Sequence, residues 1–355
     1  MHIKKVSAII LPVLLLAIIF SSCNVASIKP GAVGEPGQIL VVAERAAWEG
    51  VVGETFREYF IQPYPVLPQP EPIFDIRFVS GPELNELQRE VKTIIFLGNI
   101  NNENATTKMI RQSLGEETFQ KAKDDLSINL AYREDLWADG QQIIYLFGPS
   151  DAQLIENIRS RYPQLEEKLL QADLKQIKAT TYQGGSNSED ITRIKNGLGI
   201  DLRLPIDFKI AVFDSINQTI WLRREVRKTS SNILIKVMDY TQENQISEAN
   251  ILATRNLLGQ EYITTAVKGS YMTTDDINLP IIYSTFENNG NYTLSARGIW
   301  AMENDFMGGA FLSHMVYLED IQKVVFLDGF LYAPEQDKRP MMQRFEVIFS
   351  SLQTI

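Results

Sequence analysis

A single cysteine, Cys23, is present in this chain of 355 residues, and it limits how the fold can be stabilised. No disulfide can form within a chain that has one thiol, so the folded body depends on its hydrophobic cores. Hydrophobic residues make up 45% of the chain and charged residues 22%, which is typical of globular domains. At about 150 residues per domain, this length predicts two domains.

The residues before the cysteine have the pattern of a lipoprotein signal. Lys4 and Lys5 form a positive start, and residues 6–20 form a mostly apolar run, which is shorter than the roughly 20 apolar residues that cross a membrane. Phe-Ser-Ser-Cys at 20–23 then supplies the small residues of a cleavage site, with Phe in place of the usual Leu. We therefore predict a lipoprotein signal peptide over residues 1–22. An ordinary secretory signal beside an incidental cysteine is the alternative.

Cleavage would leave Cys23 as the lipid attachment site of an acidic protein. The formal net charge is −10, and it becomes −12 when Lys4 and Lys5 are removed with the signal. So acidic a chain lacks the basic surface that binds nucleic acid or anionic headgroups, and no nucleic-acid partner is expected. We expect attachment to the membrane through acyl chains such as palmitate, in which each buried CH₂ contributes about 0.8 kcal/mol.

Residues 23–36 are predicted to be a lipidated flexible tether. They are rich in small residues, glycine and proline, and they show neither a helical nor a strand period. A flexible chain of this length spans roughly 20 Å. No acidic cluster follows the cysteine, as it does in some lipoproteins that are exported to the cell surface. The expected location is therefore the bacterial outer membrane, with the body in the periplasm.

Residues 37–177 are predicted to form an α/β domain, because strand and helix patterns alternate there. Strands are expected at 38–43, 73–79, 93–97 and 142–147. Helical spacing is shown by Trp48, Val52, Phe56 and Phe60. The proline-rich passage 63–72 must be extended, since each proline disfavours helix in the residue before it. Pro163 is expected to interrupt the last helix or to begin its second half.

The segment 178–200 is predicted to be a linker that contains a short helix. Polar and glycine-containing residues over 179–188 indicate a loop. Ser188 is expected to be the N-cap, with acidic residues in the first turn, and Gly197 is expected to end the helix.

Residues 201–355 are predicted to form an antiparallel sheet with helices packed on it, which makes the fold class α+β. Strands are expected at 201–213, 219–224, 232–240, 281–287, 292–301, 310–317 and 323–332. A helix is expected at 247–258. A terminal amphipathic helix carries apolar residues on one face, namely Met342, Phe345, Ile348, Phe349 and Leu352. The arrangement is similar to the small sandwich of nuclear-import and photosystem accessory proteins, a likeness of fold alone.

No residue pattern in the sequence specifies a reaction, so we predict no catalytic residues, no metal site and no cofactor. His314 is the one histidine of the mature chain, which excludes a multi-histidine metal site. It lies in an apolar strand, where a structural role is more common for histidine. The sequence also lacks a Gly-x-Ser-x-Gly nucleophile elbow and a phosphate-binding glycine loop. Its acidic pairs are interpreted as solvated surface, because none fits a calcium loop.

One stretch of the second domain is the candidate ligand or partner surface. Two predicted strands flank a loop with paired glycines, and glycine lets other atoms approach the backbone closely. The candidate residues are Arg297, Trp300, Phe306, Gly308, Gly309 and His314, with Tyr271 and Trp221 expected on the same side. The alternative is a tight connection between strands, with the aromatic side chains in the core.

At these residues the chain resembles a family of lipoproteins of the Bacteroidota, domain-of-unknown-function family 4837. The shared motifs extend over nearly the whole chain: Gly-Gln-Ile-Leu-Val-Val at 37–42, Trp48, Leu-Pro-Gln-Pro-Glu-Pro-Ile-Phe-Asp at 67–75, Asp-Leu-Trp at 135–137, Gly-Ser-Tyr-Met at 269–272, Arg-Gly-Ile-Trp at 297–300, Met-Gly-Gly-Ala-Phe at 307–311 and Tyr-Ala-Pro at 332–334. Ala310 replaces the family's proline, and Lys-Thr-Ile at 92–94 replaces Arg-Asn-Ile. The resemblance implies an envelope lipoprotein and brings no established activity with it.

Three functions are compatible with the sequence. The first is a membrane-anchored envelope lipoprotein that binds or scaffolds an envelope protein or polymer without catalysis. The second is an envelope-directed hydrolase that uses His314. The third is a periplasmic carrier of small molecules, with an apolar pocket between the two domains. The expected anchor and tether, together with the lack of a reactive cluster, favour the first.

Overall fold

The computed structural model describes residues 29–355. The predicted signal peptide and the lipid attachment site Cys23 lie outside these residues. Two large sheets divide the described chain, and the α+β fold class is confirmed. No helix within the described range combines the length and apolar character needed to span a membrane.

The first domain is built on a five-stranded sheet. Its strands are β1 (Gln38–Ala43), β2 (Asp75–Ser80), β3 (Thr93–Asn99), β4 (Leu130–Glu134) and β5 (Gln142–Gly148), in the spatial order β2-β1-β3-β5-β4. All neighbours are parallel except β4, which runs antiparallel to β5. β1, β3 and β5 are covered on both faces, which is why they are unbroken apolar runs in the sequence.

Six α-helices of the described chain accompany this sheet: α1 (Arg45–Glu49), α2 (Val51–Phe60), α3 (Glu86–Arg89), α4 (Ala105–Leu114), α5 (Glu116–Asp124) and α6 (Asp151–Thr181). α2 and α6 cover one face, where Phe56 and Ile158 enter the core. α4 and α5 cover the other face through Ile110 and Phe119. The alternating elements therefore form a three-layer α/β domain.

α6 is one continuous helix of 31 residues, so the predicted interruption at Pro163 is wrong. Proline removes a backbone donor and leaves the carbonyl oxygen of Arg159 without its helical partner. Both residues are exposed, so water can hydrate that oxygen. Ile158 and Leu165 are buried in the same core on either side of the proline, and their packing holds the two halves in line.

A short loop leads from the first domain to α7 (Ser188–Leu198). The N-cap is Asn187 and not Ser188, because the Asn187 side chain accepts a hydrogen bond from a backbone N–H in the first turn. The helix ends at Gly199, which has a φ of 70°, two residues later than the predicted end at Gly197. The sequence thus correctly predicted that a glycine ends this helix, but it placed the end at the wrong glycine.

The second domain is built on an eight-stranded antiparallel sheet. Its strands are β7 (Lys209–Asp214), β8 (Thr219–Val226), β9 (Thr229–Asp239), β10 (Tyr271–Asp275), β11 (Ile282–Asn288), β12 (Asn291–Glu303), β13 (Gly308–Leu318) and β14 (Lys323–Tyr332). Two further strands, β6 (Ile200–Asp201) and β15 (Gln353–Thr354), pair with each other in a separate ladder. The large sheet has the order β10-β12-β13-β14-β9-β8-β7, and β11 also pairs with β12. The predicted strand at 201–213 is divided into β6 and β7, since Pro205 lies between them and cannot donate to a ladder.

Two helices define the faces of this sheet: α8 (Glu248–Tyr262) and α9 (Arg339–Phe349). Side chains alternate along each strand, so neighbours in sequence enter different cores. Phe311 and Phe326 pack on the side of α8, the α8 face. Leu312 and Leu327 pack with α9 and α7 on the opposite side, the α9 face.

The proline-rich passage covers the α9 face and joins the two domains. Tyr64 and Leu67 are buried in the core of the second domain. The Glu71 carboxylate accepts hydrogen bonds from the backbone N–H groups of Lys338 and Arg339, at 2.7 and 2.8 Å. These groups begin α9, where unpaired donors and the helix dipole favour a carboxylate. A side chain of the first domain therefore caps a helix of the second.

Arg339 of the second domain also stabilises this junction, by donating hydrogen bonds to the first domain. Its Nη1 donates to the carbonyl oxygens of Pro72 and Ile73, at 2.5 and 2.6 Å. Gly37 has a φ of 82°, and a Cβ there would lie 2.9 Å from the Ile73 oxygen and 3.0 Å from the Arg339 guanidinium. The motif at 67–75 therefore has a structural role at the domain junction.

Residues 30–33 are bound to the first domain, so the predicted tether over 23–36 is not free over its full length. The backbone N–H groups of Ala32 and Val33 donate to carbonyl oxygens of that domain, at 2.8 and 2.9 Å. These contacts form two isolated bridges and not a strand, which explains why no periodicity marks them in the sequence. The part of the tether before residue 29 lies outside the described residues.

Candidate functional site

The candidate residues from the sequence lie on both faces of the large sheet and do not form one cluster. β12 pairs with β13 so that Ser295 opposes His314 and Trp300 opposes Gly309. Trp300 belongs to the core on the α8 face. His314 contacts the ring of Phe349 in α9, on the opposite face. The expected common side is therefore wrong, because strand alternation separates residues that are close in sequence.

His314 is packed between two aromatic rings. Its ring centroid lies 5.3 Å from that of Phe286 and 5.2 Å from that of Phe349, both in edge-to-face contact. Burial, helped by the positive charge of Arg297, lowers its pKa to about 3, so the imidazole is neutral. Its Nδ1 atom has no hydrogen-bond partner within residues 29–355. An imidazole without an orienting partner does not provide the base of a hydrolytic triad.

Arg297 lies at the domain junction. Its guanidinium donates to the Tyr64 hydroxyl at 3.0 Å and to Glu346 at 2.7 Å. Tyr64 also donates to Glu346 at 2.5 Å, and burial together with this carboxylate raises the pKa of Tyr64. Arg297 therefore links the proline-rich passage to α9 and does not contribute to an open site.

Trp300 and the paired glycines form a packed unit. The indole Nε1 donates to the carbonyl oxygen of Leu331 at 3.1 Å, and the ring meets Phe330 edge-on at 5.7 Å. A Cβ at Gly309 would lie 1.9 Å from that oxygen and 3.0 Å from Nε1. A Cβ at Gly308 would lie 2.8 Å from the Trp300 carbonyl oxygen. The glycines are required here by the tryptophan and by the strand pairing.

An open groove lies beside this unit on the α8 face, and we call it the aromatic groove. Its volume is about 390 Å³, within the range of small-molecule sites. Its apolar lining comprises Trp221, Ile263, Trp300, Met302, Met307, Phe330 and Tyr332. Trp221 is half-buried, and its Nε1 donates to Asn232 at 3.1 Å. Because the indole N–H is already paired, the ring face is what Trp221 offers to a ligand.

Two basic side chains stand at the rim of the aromatic groove. Val226 pairs with Thr229, so Arg227 and Lys228 are the two-residue turn between β8 and β9. Arg227 has a φ of 54°, where such turns favour glycine, asparagine or aspartate. An unfavourable φ costs of order 1–3 kcal/mol, and such strain is concentrated at functional positions. Arg227 therefore adds positive charge at the groove although its backbone conformation is unfavourable for arginine.

The other charges at the rim leave Arg227 free. Arg223 forms an ion pair with Glu225, and Lys228 lies 3.4 Å from Glu335. Both pairs are highly exposed, so each contributes little. Within the described chain, Arg227 forms no ion pair. An anionic group in the groove would thus meet positive charge that the protein itself does not neutralise.

Phe306 and Tyr271, unlike Trp300, do not line the aromatic groove. Phe306 is fully exposed at the tip of the β12–β13 loop, directly before the groove residue Met307. This loop is held by Asn304, whose side-chain amide donates to the carbonyl oxygen of Gly269 at 3.1 Å. Tyr271 lies in β10 and does not line the groove. Of the candidates, Trp300 and Trp221 line the groove and Phe306 flanks it.

The sequence analysis did not identify Arg227 and Lys228. The available signal was the Arg-Lys pair between two strand-like runs, where Asn-Gly or Asp-Gly is usual. The expected strands, ending at 224 and starting at 232, left too long a gap for a tight turn to be recognised.

A second cavity, of about 730 Å³, lies between the domains. It is lined by ionic side chains: Asp207 accepts hydrogen bonds from Arg344 at 2.6 and 2.9 Å and from Arg224 at 2.5 Å. Arg339 and Asp75 form a further ion pair in its wall. The third hypothesis requires an apolar pocket at this place, and the observed lining mixes these charges with apolar side chains such as Ile177 and Ile206.

The carboxyl end of the first sheet is the usual ligand position in an open α/β sheet. Here the loops bond to one another: Asn99 donates to Asp151 at 2.9 Å, and Asn101 donates to the carbonyl oxygen of Pro149 at 2.8 Å. Across residues 29–355, no group of three or more His, Cys, Asp or Glu side chains is arranged to hold a metal ion. The aromatic groove is therefore the best candidate site in the described chain.

Comparison with known proteins divides the chain in the same way as the structure. Residues 32–182 match the model of a family described as a domain of unknown function, DUF8532. Residues 187–351 match the model of another domain of unknown function, DUF4837. The resemblance to family 4837 thus holds for the second domain, and the first domain has a separate family model. No curated protein matches the chain.

Two solved structures show distant likeness. The Ran-binding protein Mog1p of Saccharomyces cerevisiae is 9% identical, with a TM-score of 0.31, and the match covers 44% of this chain and 90% of that one. A protein of Bacteroides thetaiotaomicron VPI-5482 is 10% identical, with a TM-score of 0.18, and the match covers 45% of this chain and 46% of that one. Likenesses this weak give no information about function.

Proposed function

We propose that this protein is a lipid-anchored protein of the cell envelope that acts by binding, and that the aromatic groove is its binding site. The observation that carries the proposal is a groove in which the half-buried ring of Trp221 lies near Arg227, a residue in a strained turn that forms no ion pair within the described chain. Cys23, the signal-like segment before it and the resemblance to envelope lipoproteins support the anchor. The expected place is the periplasmic side of the outer membrane.

The lining of the groove specifies the chemistry of its ligand. Aromatic and thioether side chains favour an apolar or aromatic moiety. The basic rim favours an acidic group attached to that moiety, since arginine pairs well with carboxylate, sulfonate or phosphate oxygens. An envelope protein segment or polymer with both features would fit.

Two observations disfavour the alternative functions. Within the described residues, His314 Nδ1 has no hydrogen-bond partner that would orient the ring as a catalytic base, which argues against the hydrolase. The cavity between the domains has the ion pairs of Asp207 and Asp75 in its walls, which disfavours a wholly apolar carrier pocket there. A small molecule that combines an apolar part with an acidic group could still bind in the aromatic groove, and this would agree with the proposed binding function.

Binding can be tested with two dyes that differ in charge. 1-Anilinonaphthalene-8-sulfonate is aromatic and anionic, whereas N-phenyl-1-naphthylamine is its neutral relative. The full mature chain carrying Cys23→Ser, which cannot be acylated, should bind the sulfonate by fluorescence titration. The double variant Arg227→Gln/Lys228→Gln should weaken sulfonate binding about tenfold, the effect of one charge-assisted hydrogen bond of about 1.5 kcal/mol, and leave the neutral dye unchanged.

A matched variant controls for overall charge. Lys108→Gln/Lys121→Gln removes two exposed lysines of the first domain, outside the groove, and should leave both titrations unchanged. Trp221→Leu should weaken both dyes, because it removes a ring face and leaves the rim in place. Equal sulfonate affinity in the wild type, the rim variant and the Trp221→Leu variant would show that the groove is not the binding site.

A further inference from the structure

A second groove, on the first domain, lies where the chain emerges toward Cys23. Its volume is about 620 Å³, and α6 forms one wall and the ends of β3, β4 and β5 form the other. We call it the lysine groove, because Lys92, Lys168 and Lys175 line it. Residues 30–33, which are bound to the first domain, run beside it. The Gly34 carbonyl oxygen accepts a hydrogen bond from Gln176, another residue of its lining.

The three lysines are held by neutral or aromatic groups, although the nearby Asp173 carboxylate acts on the charge of Lys92. Lys92 donates to the neutral amide of Gln176 at 2.7 Å, and Lys168 lies over the ring of Tyr132 at 4.8 Å. Within residues 29–355, none of the three forms an ion pair. Lys168 and Lys175 are seven residues apart on α6, so they stand about 10 Å from each other along one side of the helix.

The net negative charge of the chain led us to expect no basic surface for anionic headgroups, but the local charge of this groove is opposite to that of the whole body. Its lining contains three lysines against two acidic residues, Glu134 and Asp135. The side chain of Lys29 adds a further positive charge, since its ammonium donates to the Asp135 carbonyl oxygen. The mature chain has a net charge of −12. The face to which the N-terminal segment leads therefore has a local excess of positive charge.

The length of the chain outside the described residues fixes how far this face can be from the membrane. Six peptide steps separate Cys23 from Lys29, and at 3.3–3.6 Å per residue they reach at most about 20 Å. This limit holds for any conformation of those residues. Because residues 30–33 are bound to the first domain, a lipid on Cys23 keeps the lysine groove close to the bilayer surface.

We infer that the lysine groove docks on the membrane and binds the phosphate groups of anionic lipid headgroups. The inference rests on the anchor at Cys23 in the proposed function. It adds an orientation: the first domain faces the bilayer through this groove, and the lipid and the lysines act together. A single lipid anchor with a basic surface is a known route to stable, salt-sensitive attachment.

The experiment uses the full-length lipidated protein in vesicles. Because Cys23 carries the lipid, an added cysteine is the only free thiol. A nitroxide is attached at Ala179→Cys, an exposed residue of the lysine groove, or at Ile216→Cys, in the exposed turn between β7 and β8 of the second domain. Nickel-chelating lipids in the bilayer shorten the relaxation time of any nitroxide near the headgroups. Vesicles of phosphatidylcholine are compared with vesicles that also contain phosphatidylglycerol.

The expected result is a relaxation rate at position 179 that rises several-fold when phosphatidylglycerol is present and falls again at high salt. The rate at position 216 should not change. Lys168→Gln/Lys175→Gln should abolish the increase, and the control Lys108→Gln/Lys121→Gln should retain it. Equal rates at 179 and 216, or an increase that survives Lys168→Gln/Lys175→Gln, would overturn the docking surface.

Mass spectrometry and vesicle flotation separate this inference from the anchor itself. If Cys23 carries the lipid and the protein floats with vesicles while position 179 stays remote from the headgroups, the anchor stands and the docking surface is wrong. If Cys23 is not acylated and the protein does not float, both the anchor and the docking surface are wrong.

Discussion

The two faces of the large sheet are formed by the same strands, yet one face is closed and the other is partly open. On the α9 face, the first domain supplies Tyr64, Leu67 and the capping carboxylate of Glu71, which add to the cover that α9 and α7 provide. On the α8 face, a single helix covers the sheet and leaves the aromatic groove at one end. In the closed face, aromatic and charged side chains join the domains. In the open face, the half-buried Trp221 and the exposed Arg227 remain accessible to a ligand.

The largest effect is expected from the buried ion pair on the α8 face. Arg255 and Asp328 are fully buried, with Nε and Oδ1 3.2 Å apart, and the guanidinium lies 3.9 Å over the ring of Phe311. Asp328→Ala leaves a buried charge without its partner and should lower the free energy of unfolding by about 3–5 kcal/mol. Denaturant unfolding measures this change.

The double variant Arg255→Met/Asp328→Leu tests the same pair in a different way. Replacing both charges by apolar side chains is often neutral, so this variant should regain most of the lost stability. If the double variant is less stable than Asp328→Ala, the pair contributes through its own geometry and the expectation is wrong.

Gly309→Ala should disturb the open face by overpacking. The new methyl group would meet the Leu331 carbonyl oxygen at 1.9 Å, so the strands or the Trp300 indole must move. The expected cost is about 1–3 kcal/mol, with weaker binding of both dyes in the groove. Gly31→Ala is the control, because a Cβ there has no atom within 4 Å. A stable Gly309→Ala variant with unchanged dye binding would disprove the packed role of the glycine.

The free energy of unfolding should depend on pH through Asp173, a residue of α6 that is close to Arg339 at the domain junction. Burial raises the pKa of this carboxyl to about 6, although a hydrogen bond from Gly37 and the charge of Arg339 oppose the shift. The folded state therefore holds the proton more tightly than the unfolded chain, whose pKa is near 3.8. The stability that this proton provides is present below about pH 4 and is lost as the pH rises through about 6.

Asp173→Asn should remove that dependence. At pH 7 the variant should be more stable than the wild type by about 1–2 kcal/mol, since an amide has no charge to bury. Unfolding curves at pH 4, 6 and 7.5 would measure the change. Parallel pH profiles for the variant and the wild type would assign the dependence to another group.

A smaller effect is expected from the helix cap between the domains. Glu71→Ala leaves the first N–H groups of α9 without their acceptor and should cost about 0.5–2 kcal/mol. Glu71→Gln retains one acceptor oxygen and should cost less. The dye titrations should not change in either variant, because the cap lies on the closed face. A loss of dye binding in Glu71→Gln would show that the two faces are coupled.

The sequence predicted most of the strands because their hydrophobic runs are long. β14 was predicted at its observed bounds, and β1, β3 and β5 stood out because both faces of the first sheet are covered. β10 was not predicted, since Tyr-Met-Thr-Thr-Asp is short and largely polar. The helix prediction at Pro163 was wrong, because the free energy that proline costs the helix is smaller than the free energy gained by packing α6 on either side of it.

The candidate site was harder to predict for a physical reason. Trp300 and His314 are close in sequence, but the parity of their positions in two paired strands sends them to opposite faces. Register between β12 and β13 decides this, and one sequence does not determine register. Arg227 reaches the groove from a distant hairpin, so its relation to Trp300 exists only in the folded chain.

The central claim is that the open end of the α8 face binds a component of the envelope. The most direct measurement is photocrosslinking in intact cells, with a benzophenone amino acid at Phe306 beside the groove or at Ile216 at the opposite end of the sheet. Both positions are more than nine-tenths exposed, so access to the probe is matched. A specific adduct is expected at 306, absent at 216 and lost in Arg227→Gln/Lys228→Gln. The same adducts at both positions, or none at 306, would contradict the claim.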